Sequence, residues 1–80
     1  MSQKILRLPA VQSESGYSRS TLYLRIAQGL WTKPVSLGGR TVGWPAREVS
    51  TLLSARIAQK SESEIRALVD KLQSDRKAVF

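Results

Sequence analysis

The sequence predicts a mainly α-helical fold with a small β-hairpin wing, that is, a winged helix-turn-helix followed by a C-terminal helix. Ser18 is a suitable N-cap for a short helix over residues 19–28, and Gly29 is a suitable stop for that helix. The preceding segment 16–18 contains a glycine and has the length of a helix-turn-helix turn. Further along, Gly38-Gly39 favours a tight hairpin turn, because glycine tolerates positive φ at both positions.

The first helix is predicted over residues 9–15, after a short extended segment at 4–8. Pro9 suits the first turn of a helix, because the N–H that proline lacks would have no intrahelical partner there. Leu8 and Val11 supply apolar side chains for the core, and Gly16 ends the helix as a left-handed residue.

The helix over residues 19–28 is the predicted recognition helix. Leu22 and Ile26 lie four residues apart on one face and are expected to pack on the first helix. Arg19, Ser20 and Tyr23 lie on another face, near the helix start that reaches base edges in DNA-binding proteins. Arginine binds guanine in bidentate fashion, and serine can donate or accept a hydrogen bond. An ordinary solvated face is the alternative, which the adjacent turn and hairpin make the weaker interpretation.

The predicted wing covers residues 35–44. Arg40 follows the two glycines at its tip, where it is expected to lie along phosphates or to enter a narrow minor groove. Lys33 borders the hairpin, and the interpretation requires both side chains to face the same side as Arg19. Trp31 and Trp44 are expected to cover a thin core rather than to stack on bases.

The third helix is predicted over residues 46–60, immediately after Pro45. Its apolar stripe comprises Val49, Leu52, Leu53 and Ile57.

A fourth helix is predicted over residues 62–75, because Ser61 and Glu64 have the spacing of a capping box. No glycine or proline separates it from the third helix, so one continuous helix is an alternative. Its stripe is expected to dock on the domain or to make a weak, DNA-assisted contact with another copy. The stripe comprises Ile65, Leu68, Val69 and Leu72.

The net charge of +7 is unevenly distributed. Residues 1–60 hold nine basic and two acidic side chains, whereas residues 61–80 hold four of each. A polyanionic partner for the first segment accounts for this asymmetry. The chain is therefore predicted to consist of a DNA-binding domain, residues 1–60, and a helical extension, residues 61–80.

The 80-residue chain contains no cysteine and no histidine. This excludes disulfides and thiolate metal ligands, and it removes the usual general base. We therefore expect no enzymatic activity, no metal and no cofactor. No apolar stretch approaches the roughly 20 residues that span a bilayer, and the N-terminus lacks a signal-peptide core. The expected location is the cytoplasm, in association with the nucleoid and without a membrane partner.

Four ordered segments carry a more specific pattern: Ile-Leu-Arg-Leu-Pro at 5–9, Gly-Tyr-Ser-Arg-Ser-Thr-Leu-Tyr at 16–23, Lys-Pro-Val-Ser-Leu-Gly at 33–38 and Val-Gly-Trp-Pro at 42–45. Over about residues 4–60 the chain resembles the AlpA family of phage and prophage regulators. That family is similar to MerR-type winged helix-turn-helix domains and to phage excisionases. The resemblance implies a transcriptional regulator that binds double-stranded DNA at or near an integrated element.

By this resemblance, Arg19, Ser20 and Tyr23 would contact bases and backbone, Thr21 and Arg25 would support phosphate contacts, and Arg40 would be the wing contact. With Lys33 these residues form the predicted DNA-binding set. One module offers few base contacts, so several copies are expected to bind repeated sites. Two alternatives remain: an excisionase that bends DNA with an integrase, and an adaptor whose C-terminal helix binds an integrase or a polymerase subunit.

Overall fold

The computed structural model describes residues 4–79. Its helices are α1 (Leu8–Ser15), α2 (Arg19–Ala27), α3 (Ala46–Ile57) and α4 (Glu62–Asp75), followed by a 3₁₀ turn, η1 (Arg76–Val79). Its strands β1 (Ile5–Leu6), β2 (Val35–Ser36) and β3 (Val42–Pro45) form an antiparallel sheet in the order β1-β3-β2. The predicted fold class is confirmed, and the bounds of all four helices lie within three residues of those predicted.

The turn between α1 and α2 follows the capping pattern of the sequence. Gly16 has a φ of 75° and donates its N–H to the carbonyl of Gln12, which ends α1. The Ser18 hydroxyl accepts a hydrogen bond of 3.2 Å from the N–H of Thr21, which caps the start of α2. These two local interactions set the geometry of the helix-turn-helix.

The sheet includes a strand pairing that no local sequence pattern predicts. The N-terminal segment is extended, as predicted, and it pairs with β3 so that Leu6 lies opposite Trp44. Gly43 is required at this point, because a Cβ there would clash with the Ile5 side chain. The hairpin strands β2 and β3 are therefore part of a three-stranded sheet, in which β3 is the central strand.

The core lies between the helix-turn-helix, the sheet and the two C-terminal helices. Both tryptophans are fully buried, which confirms that they pack in the core. The Trp44 indole donates a hydrogen bond of 2.9 Å from Nε1 to the carbonyl of Thr32. The Trp31 and Tyr17 rings pack edge to face, with their centroids 5.8 Å apart. The buried apolar side chains are Val11, Leu22, Leu30, Trp31, Trp44, Val49, Leu52, Ala55, Ile65 and Val69.

The predicted apolar stripe of α3 is wrong at its last position. Val49 and Leu52 are buried and Leu53 packs partly against the core, but Ile57 is 83% exposed. At 100° per residue, Ile57 lies about 140° around the helix from Leu52. The buried face of α3 continues through Ala55 instead.

Helices α3 and α4 are separate, which excludes the continuous helix. The chain turns at Gln59, whose φ is 58°, and Ser61 then starts α4 with a full capping box. The Ser61 N–H donates to the Glu64 carboxylate at 3.1 Å, and this hydrogen bond lowers the pKa of Glu64. The predicted start of α4 is therefore confirmed.

The apolar stripe of α4 docks on the domain, which is one of the two expected outcomes. Ile65 and Val69 are buried in the core, and Leu68 and Leu72 pack partly against it. Directly after α4, the guanidinium of Arg76 makes a bidentate ion pair with the buried carboxylate of Glu48, with N–O distances of 2.8 and 2.7 Å. The C-terminal segment thus supplies both apolar contacts and the counter-ion of a buried acid.

Candidate nucleic-acid interface

The outer face of α2 is formed by side chains that point away from the core. Leu22 is fully buried, and the helical repeat places Ser20 and Leu24 about 160° from it on either side. Both residues are exposed, Leu24 at 54%. This face is the part of α2 that is accessible to a groove of DNA.

Arg19 and Tyr23 lie together on one flank of this face. The Arg19 guanidinium carbon is 5.8 Å from the centre of the Tyr23 ring, which is a cation–π distance. The Tyr23 ring in turn meets Trp44 of β3 edge to face, with centroids 6.4 Å apart. This contact joins α2 to the central strand of the sheet.

Thr21 and Arg25 lie on the opposite flank, with Arg25 about 120° around the helix from Arg19. The Arg25 guanidinium carbon lies 6.0 Å from the centre of the Tyr17 ring, and its Nη1 donates to Gln28 Oε1 at 3.3 Å. The Thr21 hydroxyl accepts from Ser18 Oγ at 3.0 Å. The structure therefore separates the predicted contacts of α2 into two groups, one beside the hairpin and one beside the helix-turn-helix turn.

The hairpin turn has the predicted glycine conformations, and Arg40 follows the two glycines. Gly38 and Gly39 both have positive φ, and the turn is closed by the Leu37 N–H, which donates to the Thr41 carbonyl at 2.8 Å. Arg40 is exposed at the tip of this turn.

The loop that joins α2 to β2 is held by the C-terminal segment. Arg66 Nε donates to the carbonyl of Gln28 at 2.9 Å. The backbone of Lys33 is held on both sides, because its N–H donates to Gln73 Oε1 at 2.8 Å and its carbonyl accepts from Arg76 Nη2 at 2.6 Å. The Lys33 side chain stays exposed. Sequence reasoning missed these positioning residues because the partners are about 40 residues apart and leave no local pattern.

In every ion pair of the described residues, the basic partner belongs to the C-terminal segment, residues 61–79. Arg66 pairs with Glu62, Lys71 with Asp75, and Arg76 with Glu48. Within residues 4–79, none of the nine basic side chains that precede Ser61 lies within 4.0 Å of a carboxylate. The charge of the helix-turn-helix and wing is therefore not neutralised by internal ion pairs.

The described part of the chain has no group of three or more Asp or Glu residues arranged to hold a metal ion. Its helices are all too short or too polar to cross a membrane. An open groove between α1, β1 and α3 is lined partly by apolar side chains, among them Leu6, Leu53 and Ile57.

Comparison with known proteins assigns the chain to a family. The family model of the prophage CP4-57 regulatory protein (AlpA) matches residues 4–57. The chain belongs to the AlpA family. AlpA proteins are phage-associated DNA-binding regulators. The AlpA match extends from β1 to the last residue of α3, so it contains α2 and the hairpin but neither α4 nor η1.

A relative of this AlpA-family chain is the uncharacterized protein ORF88 of Enterobacteria phage P4. The two are 43% identical over 56 residues, which cover 70% of this chain and 64% of the phage protein. The match thus spans less than two thirds of the length of that relative. No solved structure matches the chain.

Proposed function

We propose that this protein is a sequence-specific DNA-binding transcriptional regulator of a phage or an integrated element. In this proposal α2 enters the major groove, and the hairpin lies on the backbone or in the adjacent minor groove. The observation that supports it best is electrostatic: the basic side chains of residues 4–60 lack carboxylate partners among the described residues. A second support is the Tyr23–Trp44 contact, which joins α2 to the hairpin.

The two flanks of α2 suggest different roles for its side chains. Arg19 and Ser20, at the start of the helix, are proposed to contact base edges, with Tyr23 on the backbone beside them. Thr21 and Arg25, on the other flank, are proposed to contact phosphates of the neighbouring strand. Lys33 and Arg40 would contact phosphates from the loop and the wing, which requires both side chains to face the same side as Arg19.

The apolar side of α4 is already used within the protein. Ile65 and Val69 are buried in the core, so an adaptor role would have to depend on the polar outer face of the helix. This favours DNA over a second protein as the primary partner.

Binding is expected to weaken strongly with salt. If about four cationic side chains per monomer neutralise phosphates, log affinity falls with log salt concentration at a slope of about −3.6, because each contact releases condensed counter-ions. Fluorescence anisotropy on a labelled duplex between about 50 and 200 mM salt measures this slope. A slope near zero would contradict phosphate-based binding.

Arg19→Gln is expected to weaken binding to the target site by about 1–3 kcal/mol, the range for one bidentate base contact. Footprinting on the genomic region that flanks the gene first identifies the site. Lys77→Gln is the matched control, because it removes one exposed positive charge from the C-terminal segment. Equal losses in the two variants would place the DNA surface elsewhere, whereas a loss confined to Arg19→Gln supports the recognition helix.

A further inference from the structure

The outer face of α2 has an apolar side chain at its centre. Leu24 is 54% exposed, and it lies on the side of the helix opposite the buried Leu22. Its aliphatic side chain cannot donate a hydrogen bond to a phosphate or to a base edge. The proposed function therefore leaves this residue without a role, although it lies on the face of α2 that would enter a groove.

The chemistry of the major groove supplies a partner for such a side chain. Thymine is the only one of the four bases that presents an apolar group there, its C5-methyl. Contact between this methyl and an aliphatic side chain removes apolar surface of both from water. We propose that Leu24 is a specificity-determining residue that packs against the methyl group of a thymine in the target. This inference rests on the proposed function of α2 as the recognition helix.

The surroundings of Leu24 favour DNA over an apolar protein surface. The nine residues of α2 include two arginines and no carboxylate. The exposed residues one turn before and one turn after Leu24, Ser20 and Gln28, are polar, and the apolar surface beside it is limited to Ala27 and part of Tyr23. A protein-binding patch would need a larger contiguous apolar surface.

Deoxyuridine substitution tests the proposal, since deoxyuridine differs from thymidine only by the absence of the C5-methyl. Each thymine of the footprinted site is replaced in turn, and affinities are measured by anisotropy. For the unaltered protein we expect a loss of roughly fourfold at one thymine of each half-site or repeat, the effect of one methyl-sized apolar contact. In Leu24→Ala the thymine and deoxyuridine duplexes should bind equally well at that position.

Leu37→Ala is the matched control. Leu37 is also an exposed leucine, at 45%, but it lies in the hairpin. This variant should keep the full sensitivity to the thymine methyl. Because about half of each leucine is exposed, we expect the unaltered protein, Leu24→Ala and Leu37→Ala all to be folded, which thermal unfolding checks.

The outcomes separate this inference from the function on which it rests. If the unaltered protein binds its site but no deoxyuridine substitution weakens binding, the inference is overturned while the DNA-binding function stands. It is likewise overturned if Leu24→Ala keeps the methyl sensitivity. If no duplex from the flanking region is bound at all, the proposed function fails and the inference fails with it.

Discussion

Arg76→Ala should destabilise the domain by about 3–5 kcal/mol, because it leaves a buried carboxylate without its counter-ion. Glu48 is fully buried, and its two carboxylate oxygens accept hydrogen bonds from the Arg76 guanidinium at 2.8 and 2.7 Å. The same guanidinium also donates to the carbonyl of Lys33, so the variant loses two connections at once. The free energy of unfolding, measured by urea denaturation, tests this expectation.

Three further variants identify the cause of that loss. In the double variant Glu48→Met with Arg76→Met, both charges are removed, and stability should return most of the way to that of the unaltered protein. Arg76→Lys keeps the charge but loses the planar fork, and should lie in between. Lys77→Ala, one residue further on, should have little effect, since Lys77 is exposed. A double variant as unstable as Arg76→Ala would show that packing, and not the unpaired acid, dominates.

Trp44→Ala is the second large effect, with an expected loss of about 3–5 kcal/mol, the usual cost of truncating a buried aromatic residue to alanine. Trp44 is fully buried, lies opposite Leu6 in the sheet and contacts the Tyr23 ring of α2. An 80-residue domain has a total stability of only about 4–12 kcal/mol. The variant should therefore be largely unfolded or melt far below the unaltered protein, which circular dichroism on heating measures.

A pair of milder variants keeps this prediction informative if Trp44→Ala does not fold. Trp44→Phe loses the hydrogen bond from Nε1 to the Thr32 carbonyl, whereas the indole Nε1 of Trp31 has no hydrogen-bond partner among the described residues. Trp44→Phe should consequently cost more than Trp31→Phe, because it leaves a buried carbonyl unsatisfied. Equal losses would argue that the hydrogen bond contributes nothing beyond packing.

The elements of this fold could be predicted where the signals are local. Ser18 and the Ser61–Glu64 capping box start their helices as predicted, and the glycines at 16 and 29 adopt the positive φ expected of helix stops. The period of α3 predicts a buried Ile57, but burial depends on what faces the helix, and Ile57 is exposed. The positions of α1, β3 and α4, which all pack against α3 and which no local pattern encodes, decide which side of α3 is covered.

The candidate site shows the same division between local and long-range information. The sequence identified a basic helix start and a basic hairpin tip, and both are exposed. It could not show that Arg25 lies beside Tyr17, because that contact depends on how the turn folds back on α2. The Glu48–Arg76 pair joins residues 28 positions apart and was likewise invisible in the sequence. Which side chains touch DNA stays a prediction.

The buried acid on α3 has a practical consequence for anyone who trims this protein. The segment shared with AlpA stops at residue 57, and a fragment cut there would enclose a negative charge whose partner had been discarded. It would also expose to solvent the surfaces that Ile65 and Val69 cover. The segment matched by the family is thus shorter than the packed unit, and we expect fragments for crystallisation or DNA work to be more stable when they extend through Arg76.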